Sequence, residues 1–173
     1  MTADLTRQQM RHPHFITVPA VTLPNGTVVP SFQVSQYMCS RDVVGTPWVN
    51  ISYYDARKAC EQVGAKLITE LQALAIAHDI ANQDINWSGG KVGEGHIYQG
   101  LHRGSVDVEQ ARVYESEDPD ERRWHQLSNG ERIYDFSGNA YTPEFTGARL
   151  WASACNVVLG LRSEGERDAG RRI

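Results

Sequence analysis

Two Asn-Gly turns set the limits on how this chain can fold. Pro24-Asn25-Gly26 separates the β-prone runs Phe15-Ile16-Thr17-Val18 and Thr27-Val28-Val29, the second followed by Ser31 to Ser35. Ser128-Asn129-Gly130-Glu131 separates Trp124-His125-Gln126-Leu127 from Arg132-Ile133-Tyr134-Asp135-Phe136. Asn and Gly accept the left-handed backbone that a tight antiparallel reversal requires, so each turn predicts a hairpin.

Between the hairpins lie two helix starts. Ser52-Tyr53-Tyr54-Asp55 and Thr69-Glu70-Leu71-Gln72 both have capping-box spacing, in which a hydroxyl and an acid or amide satisfy open backbone N–H groups. The first predicts a helix over about Tyr53 to Val63, closed by Gly64, which accepts the left-handed C-terminal conformation. The second predicts a helix to about Ala81, with Leu71, Leu74, Ala75 and His78 as its buried stripe. Leu67, Leu71, Leu74, Ala75, Ile133 and Phe136 are the expected core. Strands, two helices, long loops and strands again, with no alternating β-α units and no internal repeat, give an α+β class with short antiparallel strands.

At 173 residues and 40% hydrophobic content, the chain is long enough to bury one core without disulfide or metal staples. Met1 to His14 is polar and without periodicity, so residues 1–14 are read as a flexible N-terminal arm and 15–173 as the domain. A formal net charge of −4 argues against a nucleic-acid partner or an anionic membrane surface. The apolar runs are too short for a membrane span and the N-terminus lacks a signal-peptide pattern, so the reading is cytoplasmic, or exported by a route the sequence does not reveal.

The long stretch from Asn82 to Gly104 is rich in glycine and aromatics, and an acidic loop follows at Glu115 to Arg123. Such loops often carry function. Gly89-Gly90-Lys91-Val92-Gly93-Glu94-Gly95 lacks the Gly-Lys-Ser/Thr ending and strand-to-helix context of a phosphate cradle, and is read as structural turns. Asp118, Asp120, Glu121, Arg122 and Arg123 are read as a solvated charge cluster. His78, His96, His102 and His125 form no metal-site spacing, and Cys39, Cys60 and Cys155 match neither a zinc pattern nor a disulfide framework. Trp48, Trp87 and Trp124 are expected to anchor loops by burial. No catalytic residue, metal ligand or cofactor is assigned.

Pro47-Trp48-Val49-Asn50-Ile51-Ser52-Tyr53, Asp55-Ala56, Cys60 and Gly64-Ala65-Lys66-Leu67-Ile68-Thr69-Glu70-Leu71-Gln72 resemble, in order, the W-N-S-W-D-A and G-R-L-P-T-E-A-E-W signature of formylglycine-generating-enzyme-type domains. Asp135-Phe136-Ser137-Gly138-Asn139-Ala140 resembles their D-M-x-G-N-V turn. Gly147-Ala148-Arg149-Leu150-Trp151 is similar to the R-G-G-S-W entry of their C-terminal segment, and Leu159-Gly160-Leu161-Arg162-Ser163 and Arg167 to Arg172 to its later arginines. Gly170-Arg171-Arg172-Ile173 stands where the family has G-F-R. The resemblance covers roughly Phe32 to Asn139 and implies a C-type lectin fold.

The glycine-rich stretch from Ile85 to Gly100 resembles the insertion of phage and retroelement versions of this domain. The implied subgroup is the variable proteins of diversity-generating retroelements. They are binding proteins, not enzymes, and their diversified surface would occupy about residues 149–173. Randomising the adenines of an Asn codon yields Cys, Val, Ser, Gly or Asp, but not Trp, Glu, Met, Gln or Lys. Ser153, Cys155, Asn156, Val158, Ser163, Gly165, Asp168 and Gly170 are therefore the ligand-binding candidates, with Trp151, Glu164 and Glu166 as fixed scaffold. The expected partner is a protein or a surface glycan. The same superfamily leaves two alternatives: a copper- or iron-dependent oxidase, intact or degenerate, and an adhesive tip domain of a phage or virion.

Overall fold

The computed structural model describes residues 14–40, 42, 44–104, 106 and 108–139, together with the backbone of 154–155. Both expected hairpins form. Strand β1 (Phe15–Val18) pairs antiparallel with β4 (Phe32–Ser35), Phe15 opposite Ser35. Nested within that pair, β2 (Val21–Thr22) meets β3 (Val28–Val29). After β5 (Trp48–Val49) come helices α1 (Tyr53–Gln62) and α2 (Glu70–Ala81). A short 3-10 turn at Asp84–Asn86 follows, then β6 (Trp124–Gln126) and β7 (Arg132–Tyr134), which pair with His125 opposite Ile133. The final described strand, β8 (Ala154–Cys155), pairs antiparallel with β5. The described architecture is thus α+β, with two helices and short antiparallel strand pairs.

The two Asn-Gly turns are built alike. In the first, Leu23 N–H donates to Thr27 O (2.9 Å) and Gly26 N–H to Leu23 O (2.8 Å), while Asn25 Oδ1 accepts from Thr27 N–H (3.0 Å). In the second, Leu127 N–H donates to Glu131 O (2.8 Å), Gly130 N–H to Leu127 O (2.9 Å), and Glu131 N–H to Asn129 Oδ1 (3.1 Å). Gly26 and Gly130 take φ values of +83° and +86°, the region that glycine enters without a steric penalty.

Helix ends follow the local chemistry. The Thr69 hydroxyl accepts from Gln72 N–H, and the Gln72 amide oxygen accepts from Thr69 N–H, completing a capping box. At Ser52 the box is only half made: the hydroxyl accepts from Asp55 N–H (3.2 Å) and donates to the Asp55 carboxylate (2.6 Å). The end of α1 is a Schellman motif, with Ala65 N–H on Cys60 O, Gly64 N–H on Glu61 O, and Gly64 at φ +75°.

The core has two main parts. Cys39, Ile51, Ala56, Ala59, Cys60, Ala65 and Leu67 pack around α1, with Trp48 and Tyr53 laid against them. Ile16, Val18, Val34, Ile68, Ala73, Ile76, Ile80, Leu127 and Ile133 join α2 to both hairpins. This corrects the expected stripe of α2. Ala75 is buried, but Leu71 and Leu74 are 48% and 49% exposed and His78 is only half-buried. The face that packs carries Ala73, Ile76, Asp79 and Ile80. Asp79 can lie inward because its carboxylate accepts the Ser128 N–H of the second turn (2.8 Å). Leu67 and Ile133 are buried as expected, and Phe136 is half-buried against the second cluster.

Candidate functional site

The segment Glu121 to Leu127 alternates strictly, with Glu121, Arg123, His125 and Leu127 buried and Arg122, Trp124 and Gln126 half-buried. Period-two alternation is the mark of a strand with one face on the core. The expected solvated charge cluster is therefore only partly solvated. Arg103 meets Asp118 (2.9 Å) near the surface, whereas Glu121 and Arg123 turn inward.

Arg123 is the centre of a buried polar node. Its Nε and Nη2 donate to the two Asp135 oxygens at 2.8 and 2.5 Å, and its Nη1 donates to Glu109 O and Tyr114 O. A planar guanidinium suits such a bidentate pair. Burial pushes the Asp135 carboxyl above its ordinary pKa, against the pull of Arg123 and Asn139. The Asn139 amide donates to Asp135 Oδ2 (3.3 Å) and Val108 O (3.2 Å) and accepts from Val108 N–H (3.1 Å). One charged pair and one amide thus tie the loop at 108–114 to β6, to the end of β7 and to the turn from which the C-terminal segment departs.

That turn is tight. Asp135 and Asn139 have φ of +52° and +62°, and Gly138 has +85°. A Cβ on Gly138 would lie 2.6 Å from the Gly100 carbonyl carbon, and one on Gly100 only 2.1 Å from Ser137 O. The glycine-rich stretch supplies the other half of this crossing. Nearby, Glu121 accepts from the N–H groups of His102 and Arg103 and from the Ser116 hydroxyl. The Ser116 bond and then the His102 N–H hold its carboxyl down to about 2.

The expected ligand-binding residues lie beyond this node. Cys155 stands opposite Trp48 in the β5–β8 register, with Ala154 opposite Val49. Ser153, Asn156, Val158, Ser163, Gly165, Asp168 and Gly170 lie outside the described residues. Trp48 N–H also donates to Cys39 O (3.0 Å), so β5 is held on both sides. The entry to the C-terminal segment is thereby fastened to the strand that packs on α1.

No family model, curated protein or solved structure matches this chain.

The other candidate chemistry resolves into structure. Cys39 and Cys60 share the α1 cluster and no disulfide joins them. Burial, reinforced by the neighbouring Cys39, pushes the Cys60 thiol far up, so Cys60 is held as a thiol, not as a reactive thiolate. Among the described residues no group of three or more His, Cys, Asp or Glu side chains is placed to hold a metal ion. Gly89 to Gly95 forms a tight reversal between the bridged Trp87 and Ile97, with Ser88 N–H on His96 O (2.8 Å). Trp87 is fixed by its indole N–H on Ala81 O (2.9 Å). Asn86, fully buried, acts as a surrogate strand residue: its amide donates to Gln126 O (2.8 Å) and accepts from Gln126 N–H (2.9 Å).

His125 is also buried, with Nε2 2.7 Å from Tyr98 O and Nδ1 without a partner. The carbonyl fixes the neutral tautomer with its proton on Nε2. Desolvation lowers its pKa. On the opposite face of β6, the Arg122 guanidinium carbon lies 3.9 Å from the ring centroids of both Tyr98 and Trp124, and that of Arg132 lies 3.9 Å from Trp124.

The sequence reading missed Arg123, Asp135 and Asn139 as a unit. The signal that would have found Arg123 is the inward alternation running back from Leu127 through His125.

Proposed function

We propose that this chain is a ligand-binding protein with a C-type lectin fold of the formylglycine-generating-enzyme subtype. In this reading it is a diversity-generating retroelement's variable protein, displaying residues of the 149–173 segment to a protein or surface-glycan ligand. The observation that carries the reading is the pairing of Ala154–Cys155 with Trp48–Val49. It fastens the start of the proposed display segment to a rigid scaffold, which a binding surface needs if it is to vary while the fold stays constant. The node of Arg123, Asp135 and Asn139 supports the reading by fixing the last described turn that precedes that segment in the chain. It occupies its buried carboxylate with a structural guanidinium rather than leaving it for acid–base chemistry.

Deep sequencing of the coding region across independent isolates tests the proposal. Substitutions concentrated at Ser153, Cys155, Asn156, Val158, Ser163, Gly165, Asp168 and Gly170, with Trp151, Glu164 and Glu166 constant, are the expected result. Substitutions spread evenly over the domain, or an invariant C-terminal segment, would overturn it.

A further inference from the structure

Six arginines fall within the described residues, and they divide cleanly. Arg57, Arg103 and Arg123 each have a carboxylate partner: Glu61, Asp118 and Asp135 respectively. Arg112, Arg122 and Arg132 have none among the described residues, and these three share one face. Arg122 is stacked between Tyr98 and Trp124, and Arg132 lies on Trp124. Trp124 stands directly opposite Tyr134 in the β6–β7 register, so the two side chains project from the same side of the hairpin. Tyr134 stacks on Tyr37 with centroids 4.6 Å apart, and the Arg112 guanidinium carbon lies 5.9 Å from the Tyr37 ring. The opposite side of the hairpin carries His125 and Ile133 into the core, so this is its outward face.

We propose that the outward face of the β6–β7 hairpin is a docking surface for an acidic peptide segment of a partner protein, whose carboxylates pair with Arg132 and Arg112. Charge carries the argument. Among the described residues the exposed guanidinium groups of Arg112 and Arg132 form no ion pair, while those of Arg57, Arg103 and Arg123 do. Stacking on aromatic rings fixes the plane of a guanidinium and leaves its N–H edge free for bidentate bonding to a carboxylate. Arg112 and Arg132 are exposed, whereas Arg122 is held in place beneath them, its Nε buried and its Nη2 donating to Asn86 Oδ1 (3.3 Å).

The same stacking disfavours other ligands. Guanidinium groups cover the Trp124 and Tyr98 faces on which a nucleobase or sugar ring would have to stack. This surface lies wholly within the described residues.

Fluorescence anisotropy of a labelled octaglutamate peptide with the full chain, at about 30 mM salt to limit screening, tests the proposal. The Arg112→Gln/Arg132→Gln double variant should weaken binding by at least about tenfold, as expected when charge-assisted hydrogen bonds are lost. Arg57→Gln, at an ion pair remote in sequence, should leave it unchanged. Because both altered arginines are exposed, the double variant should retain the wild-type circular dichroism spectrum. Absence of octaglutamate binding, equal binding by the double variant, or tighter binding of oligothymidine or a sulfated oligosaccharide at the same salt would overturn the proposal.

Discussion

His125 shows how one buried ring couples this fold to pH. Its Nε2–H is spent on Tyr98 O and its Nδ1 has no hydrogen-bond partner among the described residues, so a second proton would place an unpaired N–H and a charge in the core. Arg122 adds a smaller electrostatic push in the same direction. The folded pKa is depressed while the unfolded chain takes up its proton near about 6.5, so the unfolded state binds more protons below that value. Stability should therefore fall as pH drops below about 6.5 and continue to fall until the folded pKa is reached. Urea unfolding of the wild type at neutral and mildly acidic pH, compared with His125→Gln, measures this. The variant should lose that part of the slope, and an unchanged slope would show that the ring is not the source.

At the scale of the element, α2 is the instructive case. Its sequence, Glu70-Leu71-Gln72-Ala73-Leu74-Ala75-Ile76-Ala77-His78-Asp79-Ile80-Ala81, is apolar nearly all round, so two stripes at helical spacing compete. Leu71 and Leu74 offer one and Ala73, Ile76 and Ile80 the other, and the helix buries the second. The small Ala73 permits close approach, and Asp79 on that side caps the second hairpin turn, a bond no outward rotation could keep. Ile76→Ala should therefore cost about 2–5 kcal/mol through lost burial and a residual cavity. Leu74→Ala, at a half-exposed position, should cost much less, within about 1 kcal/mol. Chemical denaturation of the two variants separates the faces, and equal losses would mean that both pack.

At the scale of the whole molecule, the described part is joined less by continuous sheet than by polar ties between short pieces. Each strand pair is two-stranded, which alone is marginal in water. Arg123, Asp135 and Asn139 connect the loop at 108–114, β6 and the departing turn, while Asn86 connects the end of α2 to β6. Removing one member of a buried ion pair strands the other. Arg123→Met should accordingly cost about 3–5 kcal/mol. Hydrogen exchange should accelerate at residues 108–114 before it does in α1, whereas uniform acceleration would mean that the node has no regional role. Among the described residues, no helix is long and apolar enough to cross a membrane.

The parts of this fold that the sequence determined by itself are those set by neighbouring residues. Asn25-Gly26 and Asn129-Gly130 make their turns because only a few residue types accept that backbone, and Thr69 with Gln72 closes a box within one helical turn. Gly64 ends α1 for the same local reason. What only tertiary structure decided are the choices between near-equal local alternatives: which stripe of α2 faces inward, and whether the charges of Glu121 and Arg123 meet water or the core. Those choices depend on Ser128, Asp135 and the backbones of His102, Arg103, Glu109 and Tyr114, partners outside the local turn whose hydrogen bonds repay the burial of a charge. Local spacing carries no information about such partners, so the chain had to fold before they met.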